Sequence, residues 1–337
     1  MRNTNSAIFK AILNNYDLGQ LISWRYPKGG ALHDNIIIET TRGWFFLKYY
    51  RPDYHETNLH LQHKILLGLS SRNLPVPIPV MNLKYETYLK HQGRIIGLYN
   101  YIVGTPLNMQ LLTDDFITEF AIVIANIHLE LNDIHKGDNI TRYKFGIDKT
   151  FSMLHSILEA ITITEDNPQK SLHIGIIRES LMFLGNGKSF VDKLGEIPVQ
   201  ITHGDLNEGN ILVDLVNFND VRGIVDWEGI GVRPRIFDVS KFINLVLINS
   251  GDSTDIRKIA LFSKQYVQSA NLSNIEAELL FILYPIFVFC YQQLLERHYL
   301  LLDNSLDKYI TKEHYNSRWT WLHNEMLLDL LFSRKNS

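Results

Sequence analysis

The sequence predicts an α+β protein with two lobes, a small antiparallel-sheet lobe followed by a larger, mostly helical one. Short β-rich segments and one helix-like stretch fill the first part of the chain, whereas apolar residues at helical spacing dominate the rest. A length of 337 residues also suits two packed lobes better than one small core. The composition changes at Val103–Pro106, so we expect one lobe over residues 1–102 and a second over residues 103–337.

The composition is that of an ordinary globular protein, and it argues against two classes of function. A formal net charge of -3 does not suit a protein whose main role is to bind nucleic acid. The longest apolar run, Leu279–Tyr291, is too short to span a membrane, and Pro285 interrupts it. The single cysteine, Cys290, cannot form an internal disulfide, which fits a reducing environment. We therefore expect a cytoplasmic protein without nucleic-acid or membrane partners.

The first lobe has a glycine turn before one strand and a lysine in the next strand. Gly29 and Gly30 lie in the turn, which runs to Asn35, and Lys48 lies in the second strand. Backbone N–H groups of a glycine turn can approach a phosphate, and a strand lysine can reach the α- and β-phosphates. Alone, this pattern is a weak indication of a nucleotide site, because two glycines before a strand are most often only a turn.

The most informative stretch is Val199–Glu228, which contains two short apolar runs around a polar turn. This pattern predicts a β-hairpin. Asn210 directly precedes its first strand and Asp226 directly follows its second. Because paired strands lie about 4.8 Å apart, the two side chains can share one cation. Asp205 lies five residues before Asn210, in the loop that leads into the hairpin.

These residue types suit phosphoryl transfer. That reaction needs cations on the phosphate oxygens, a carboxylate near the incoming hydroxyl, and accurate positioning. Asp205 is the candidate carboxylate, which would orient the hydroxyl and accept its proton late in the reaction. Asn210 and Asp226 are candidate Mg²⁺ ligands because both offer oxygen atoms, and Lys48 is the candidate phosphate ligand. Each residue alone has an ordinary structural explanation, but together they indicate a site.

The two motifs His203–Leu212 and Ile224–Glu228 resemble those of the aminoglycoside phosphotransferase and choline kinase superfamily, which includes type II homoserine kinases. The resemblance extends to Lys48, to the segment Ile102–Pro106 and to Arg235–Asp238. It implies a protein-kinase-like fold with two lobes. It also implies a small-molecule kinase that transfers the γ-phosphate of ATP to a hydroxyl group with the help of Mg²⁺. ATP is the default donor, and GTP stays open.

Carried over by position, the resemblance gives each part of the site a role. Asp205 becomes the catalytic base, and Asn210 and Asp226 become the metal ligands. His203 and Asp238 brace the catalytic loop. The implied nucleotide contacts are Lys48 with Gly29, Gly30 and Asn35 of the covering loop and Asn100, Tyr101 and Ile102 of the hinge.

Two departures from the superfamily pattern, and the role of one further residue, leave questions open. Many relatives have His-Pro where this chain has Asn207-Glu208. The helix residue that pairs with the strand lysine is normally glutamate, whereas here the position falls on Gln62, with Glu56 as an acidic alternative. Glu228 is open between a second metal contact and a hydrogen-bond acceptor.

The acceptor is also open at this stage. An aminoglycoside, which is a polycation, calls for clustered carboxylates, whereas homoserine calls for an arginine that binds its carboxylate. The second lobe contains both kinds of residue, and amino alcohols and sugar-like molecules are further options. Two other functions stay open, a protein serine/threonine kinase of the bacterial stress-response type and a nucleotide-binding regulator with weak catalysis.

Overall fold

A computed structural model of the chain describes residues 2–27, 34–134, 147–164, 168–186, 193–248 and 254–332. The chain forms two compact units. The first contains Met1–Leu107 and Asn210–Glu228, and the second contains Asn108–Gly209 and Gly229–Ser337. The predicted division counted the hairpin after Asn210 with the second lobe, whereas in the structure it belongs to the first unit. An α+β fold class is confirmed.

The first unit is built on an antiparallel sheet. Its strands are β1 (Leu21–Arg25), β2 (Asp34–Thr40), β3 (Gly43–Tyr49), β4 (Tyr88–His91) and β5 (Arg94–Asn100). Their order in the sheet is β1-β2-β3-β5-β4, and every neighbouring pair is antiparallel. The register places Lys48 of β3 opposite Asn35 of β2 and Gly97 of β5.

One face of this sheet is covered by helix α1 (Arg2–Leu13). Phe9 and Ile12 of the helix pack against alternate residues of the strands, including Ile36, Ile38 and Leu47, all of which are buried. The alternation follows from the two-residue repeat of a strand, and the β-branched isoleucines suit a half-buried sheet. Helix α2 (Glu56–Ser70) lies between β3 and β4 in the sequence and buries Leu59, Ile65 and Leu66.

A small second sheet completes the first unit. It contains β6 (Thr105–Pro106), β8 (Ile211–Val213) and β9 (Val221–Ile224), and strand β7 (Val199–Thr202) of the other unit precedes β8 in the sequence. Strands β8 and β9 form the predicted hairpin, with Ile211 opposite Ile224. The backbone N–H of Ile224 donates to the carbonyl of Pro75, which ties the hairpin to the chain after α2.

The second unit is mostly helical. Its strands β7 (Val199–Thr202) and β10 (Gly231–Pro234) pair with each other. Its helices are α3 (Asp114–Ile134), α4 (Ile147–Ile163), α5 (Lys170–Asn186), α6 (Ile236–Phe242), α7 (Ile256–Ala270), α8 (Asn274–Leu279), α9 (Leu283–Tyr291), α10 (Gln293–Tyr299), α11 (Ile310–Leu322) and α12 (Asn324–Phe332). Phe120, Phe242 and Phe262 join α3, α6 and α7 in an aromatic core. In the part of the chain that the structure describes, no helix is long and apolar enough to cross a bilayer.

Candidate active site

Lys48 is held by two carboxylates that follow the hairpin. Its Nζ lies 3.0 Å from Oδ1 of Asp226 and forms a second ion pair with Glu228. Lys48 extends from strand β3, in which alternate side chains point to the same side of the sheet. Its ammonium also lies 5.5 Å from the ring centre of Tyr50. The structure therefore brings together Lys48 and Asp226, two of the predicted site residues.

The expected pairing of Lys48 with helix α2 is wrong. Gln62 is buried, and its Oε1 accepts a hydrogen bond of 3.0 Å from the hydroxyl of Tyr54. Glu56, the acidic alternative, forms an ion pair with Lys90 and accepts a hydrogen bond from Tyr88. Neither has an ion pair or hydrogen bond with Lys48, whose carboxylate partners among the described residues are Asp226 and Glu228.

Asn210 and Asp226 occupy the two ends of the hairpin, as the sequence predicted. The backbone N–H of Val225 donates to the carbonyl of Asn210 at 2.8 Å, so the two chain segments lie side by side. Asp226 has a φ of 64°, in the left-handed region that is uncommon for residues other than glycine. Such backbone conformations persist where the surrounding structure enforces them and concentrate at functional sites. Buried Trp227 supplies such enforcement, because its Nε1 donates to the carbonyl of Ile224 at 2.7 Å.

The donor set at the hairpin ends fits Mg²⁺. Both side chains offer oxygen, and Mg²⁺ in phosphoryl-transfer sites is typically held by one or two carboxylates together with substrate phosphates and water. The Asp226 side chain is 44% exposed, so it can reach an ion. Across the described ranges there is no group of three or more His, Cys, Asp or Glu residues placed to hold a metal ion.

Two predicted nucleotide contacts lie on the main sheet or at its end. Asn35 faces Lys48 across β2 and β3, and its side-chain oxygen is buried with no hydrogen-bond partner in the described part of the chain. Asn100 ends β5, where its backbone N–H donates to Ile78. A buried acceptor without a donor is costly, so Asn35 suits a position beside a ligand. Gly29 and Gly30 lie outside the described residues.

The other two hinge residues continue from β5. Tyr101 donates its backbone N–H to the carbonyl of Trp44 at 3.2 Å, and the Tyr101 and Trp44 rings lie 6.3 Å apart. Ile102 packs over Gly223 of the hairpin so closely that a Cβ added at Gly223 would lie 2.6 Å from Ile102 Cδ1. The hinge is thus joined to the hairpin by direct packing.

In the second unit, Asp238 braces the loop that carries Asp205. Its carboxylate accepts the backbone N–H groups of His203 and Gly204, each at 2.8 Å, and also contacts Nε2 of His128 at 3.2 Å. Burial alone would raise the pKa of Asp238, but the bond from His128, with the nearby charges, lowers the pKa to about 2. In turn, the backbone N–H of Asp205 donates to Nδ1 of His203 at 3.1 Å. This geometry agrees with the bracing role implied for His203 and Asp238.

The loop that carries Asp205 requires a glycine at position 204. Its φ is +80°, and a Cβ added there would lie 2.0 Å from Nη1 of Arg233 and 2.2 Å from the carbonyl oxygen of Gly229. Only glycine combines this backbone conformation with such close approach. Arg233 is buried, its guanidinium lies 5.1 Å from the ring centre of Phe237, and its Nη2 donates to Gly229.

Asp205 forms an ion pair with Lys241 of α6. Lys241 Nζ lies 2.6 Å from Asp205 Oδ1, and the two side chains are 14% and 43% exposed. Burial alone would raise the pKa of Asp205, but Lys241, with help from His203 and Asn207, lowers it instead. Asp205 is therefore a carboxylate at neutral pH, in the form that can accept a hydrogen bond from a hydroxyl group.

Asp205 and Lys241 line a cavity of about 300 Å³ within the second unit. Tyr284 of α9 also lines this cavity, and its ring centre lies 5.7 Å from Lys241 Nζ. The Tyr284 hydroxyl donates a short hydrogen bond to Glu313 of α11, another lining residue. Burial raises the pKa of Glu313, although Tyr284 and Lys241 oppose this effect. The cavity therefore places a second carboxyl group near Asp205.

Lys241, Tyr284 and Glu313 were not predicted from the sequence. A signal for Lys241 was present, because it lies three residues after Asp238 in a helix and so shares its face. No such signal existed for Glu313, which comes from a helix far along the chain. The role of Asn207 is partly explained, because its side chain donates to the Asp205 carbonyl and accepts from the N–H of Gly209. Asn207 thus shapes the loop that carries Asp205.

Replacing Lys241 with methionine is expected to move the acidic limb of the pH–rate profile to higher pH. The ammonium favours the ionised form of Asp205, so its loss raises the pKa of this carboxyl group, and protonation then begins at a higher pH. The measurement is kcat/KM against pH, with Lys241→Arg as the charge-retaining variant and Lys258→Met, also in the second unit, as control. An unchanged acidic limb in Lys241→Met would contradict this account.

Comparison with known proteins agrees with the geometry. Residues 183–268 match the Phosphotransferase enzyme family, APH. A spectinomycin phosphotransferase, solved with ADP and spectinomycin, superposes with a TM-score of 0.60 at 15% identity, covering 97% of each chain. An amicoumacin kinase, solved with AMP-PNP and Ca²⁺, gives a TM-score of 0.62 at 13% identity, covering 98% of this chain and 96% of the other. The chain shares the fold of these structures, which is the predicted protein-kinase-like fold.

A sequence relative points in the same direction. A homoserine kinase from Afipia carboxidovorans is 24% identical over 267 residues, which cover 78% of this chain and 76% of the relative. The resemblance to the aminoglycoside phosphotransferase and choline kinase superfamily is thereby confirmed. The matches also indicate a small-molecule kinase, as the sequence predicted.

Proposed function

We propose that this protein transfers the γ-phosphate of ATP to a hydroxyl group of a small molecule in a Mg²⁺-dependent reaction. Asp205 orients the hydroxyl and accepts its proton. Asn210 and Asp226 hold Mg²⁺, which neutralises charge on the phosphate oxygens when it is bound, and Lys48 binds the α- and β-phosphates. Asn35 and the hinge from Asn100 to Ile102 complete the nucleotide contacts. GTP is the alternative donor.

The observation that carries this proposal is the setting of Asp205. Its carboxylate lines a cavity of about 300 Å³, is 43% exposed and is ionised beside Lys241. A hydroxyl group in the cavity can therefore reach an acceptor oxygen that is already charged and held in place by Lys241. Binding pockets for small molecules run from about 300 to 1,000 Å³, so this cavity suits a small acceptor.

The charges around the cavity favour a hydroxy amino acid as the acceptor. Arg233 and Lys241 offer cations to a carboxylate, while Glu313 offers a carboxyl group to an amine. A polycationic aminoglycoside would be repelled by Arg233 and Lys241, which both line this small cavity. Several curated relatives are named homoserine kinases, and homoserine is a hydroxy amino acid. We therefore place homoserine and compounds of similar size first, with amino alcohols next.

An ATP-consumption screen across acceptor classes tests this function. Homoserine and other hydroxy amino acids are expected to stimulate ADP release, and aminoglycosides and sugars are expected to do so weakly. The same assay with casein-type acceptors tests the protein kinase alternative. Stimulation by aminoglycosides alone would overturn the acceptor class. A complete lack of turnover with every class would leave the regulator alternative, and the Asp205 carboxylate would then have no catalytic role.

A further inference from the structure

The two carboxylates that hold Lys48 differ in how far they are exposed. The Lys48 side chain is 9% exposed and that of Glu228 is 17% exposed, whereas the Asp226 side chain is 44% exposed. An ammonium group removed from water to this extent is stable only when a negative charge lies beside it. Glu228 provides that charge from a mostly buried position, whereas the Asp226 side chain is also exposed to solvent.

Helix α2 provides no charge at this point. Gln62 is neutral, and its bond to the Tyr54 hydroxyl ties it into a group of aromatic side chains. The Tyr54 ring stacks on Tyr50 with 4.6 Å between ring centres, and Tyr50 lies beside Lys48. Tyr50 and Tyr54, which precede α2 in the chain, therefore lie beside Lys48 and Gln62. The neutralising carboxylate comes from another element, because Lys48 pairs with Asp226 and Glu228.

The short turn after the hairpin positions Glu228 for this task. Residues Trp227–Gly229 form a single 3₁₀ turn, and Trp227 is buried and bonded to the carbonyl of Ile224. The tryptophan fixes the turn, so that the acidic residues on its two sides lie at defined places. Asp226 precedes the anchor in a left-handed backbone conformation, and Glu228 follows it.

We propose that Glu228 is the residue that neutralises and positions Lys48, in place of a glutamate on helix α2. Asp226 is then left to the Mg²⁺ ion, and Glu228 is a positioning residue and not a second metal ligand. The proposal rests on the proposed function insofar as Lys48 binds nucleotide phosphates. The ion pair itself exists without nucleotide, so its stability effect can be measured independently of turnover.

The first test separates a lysine partner from a metal ligand. In Glu228→Gln, metal-free ADP binding, followed by calorimetry in EDTA, is expected to weaken roughly tenfold, and KM for ATP is expected to rise more than kcat falls. The Mg²⁺ concentration for half-maximal activity should stay unchanged. Glu56→Gln is the matched control, because Glu56 lies on α2 but is bonded to Lys90 and Tyr88. A raised Mg²⁺ requirement with unchanged metal-free binding would overturn the proposal.

The second test supplies the missing negative charge from helix α2. Gln62→Glu in the Glu228→Gln background returns a carboxylate to the helix, and metal-free ADP binding is expected to recover by several fold. Gln62→Glu alone should bring no such gain, because Lys48 is already neutralised. Equal effects of Gln62→Glu in both backgrounds would show that Glu228 is not the charge partner of Lys48.

A third measurement needs no nucleotide. Melting temperatures of Lys48→Met, Glu228→Gln and the double variant form a thermodynamic cycle, and the double variant is expected to melt higher than the sum of the single losses predicts. The cycle with Asp226→Asn should show a weaker coupling because Asp226 is more exposed. Additive losses for Lys48 and Glu228 would overturn the pairing. If instead no acceptor class supports turnover of the unchanged protein, the proposed function fails while the pairing stands.

Discussion

Asp205→Asn is expected to lower kcat by roughly 10²–10⁴-fold, the usual contribution of a general base. The amide keeps the shape of the side chain but cannot accept the proton of the acceptor hydroxyl. It also loses the charge that attracts Lys241, which now lies 2.6 Å from Asp205 Oδ1. Nucleotide binding should change little, because the residues proposed to bind nucleotide all belong to the first unit. Steady-state kinetics with the best acceptor, together with ADP calorimetry, measure both effects.

A matched control shows whether any loss comes from the site. Asp114→Asn removes a carboxylate that is 49% exposed and paired with Arg257, also in the second unit. Its kcat should equal that of the unchanged protein. Turnover retained within a few fold in Asp205→Asn would remove Asp205 from the catalytic role and would leave its bond to Lys241 as a structural feature only.

Asp226→Ala is expected to weaken binding of Mg²⁺-ATP by roughly tenfold or more, because one of the two proposed protein ligands of the ion is lost. Binding measured in EDTA should stay the same or become slightly tighter, since a negative charge near the phosphates has been removed and Lys48 keeps Glu228. Calorimetry with and without Mg²⁺ distinguishes the two conditions. This is the reverse of the result expected for Glu228→Gln.

Asn210→Ala tests the second proposed ligand of the ion. The expected loss of Mg²⁺-ATP binding is smaller, because a neutral amide binds Mg²⁺ more weakly than a carboxylate does. The control is Asp220→Ala, which removes a carboxylate from the turn of the same hairpin, where it pairs with Arg222. Equal weakening of nucleotide binding with and without Mg²⁺ in Asp226→Ala would show that Asp226 acts on the nucleotide through Lys48 and not through the metal.

The hairpin could be predicted from the sequence because its information is local. Two apolar runs, a turn and polar residues at both ends define the placement of Asn210 and Asp226, and the structure has this arrangement. The contact between Lys48 and the residues after the hairpin joins distant parts of the chain, and it was not predicted from the sequence. The pairing of Lys48 with Gln62 or Glu56 was wrong. Gln62 and Glu56 are bonded to Tyr54 and Tyr88, and the ion pair with Lys48 is formed by Glu228, which follows the hairpin.

Two other residues that line the cavity could not be predicted, for a related reason. Glu313 and Tyr284 lie on helices whose packing order is not readable from one sequence, and their spacing matches no motif. Lys241 was within reach, since a helix beginning at Ile236 places it on the same face as Asp238. The fold class was predictable because long stretches of strand and helix periodicity add up, whereas a cavity depends on single contacts between distant elements.

The bonds from His203 and Gly204 to Asp238 also concern how this protein moves. Two consecutive amides that donate to one buried carboxylate can exchange their hydrogens only when that carboxylate is exposed, which requires opening of the core around His128. The loop that carries Asp205 should therefore be among the slowest-exchanging segments that lie outside regular secondary structure. A loop this firmly fixed holds Asp205 in one place. A change in acceptor specificity would therefore have to come from other residues that line the cavity, such as those on α9 and α11.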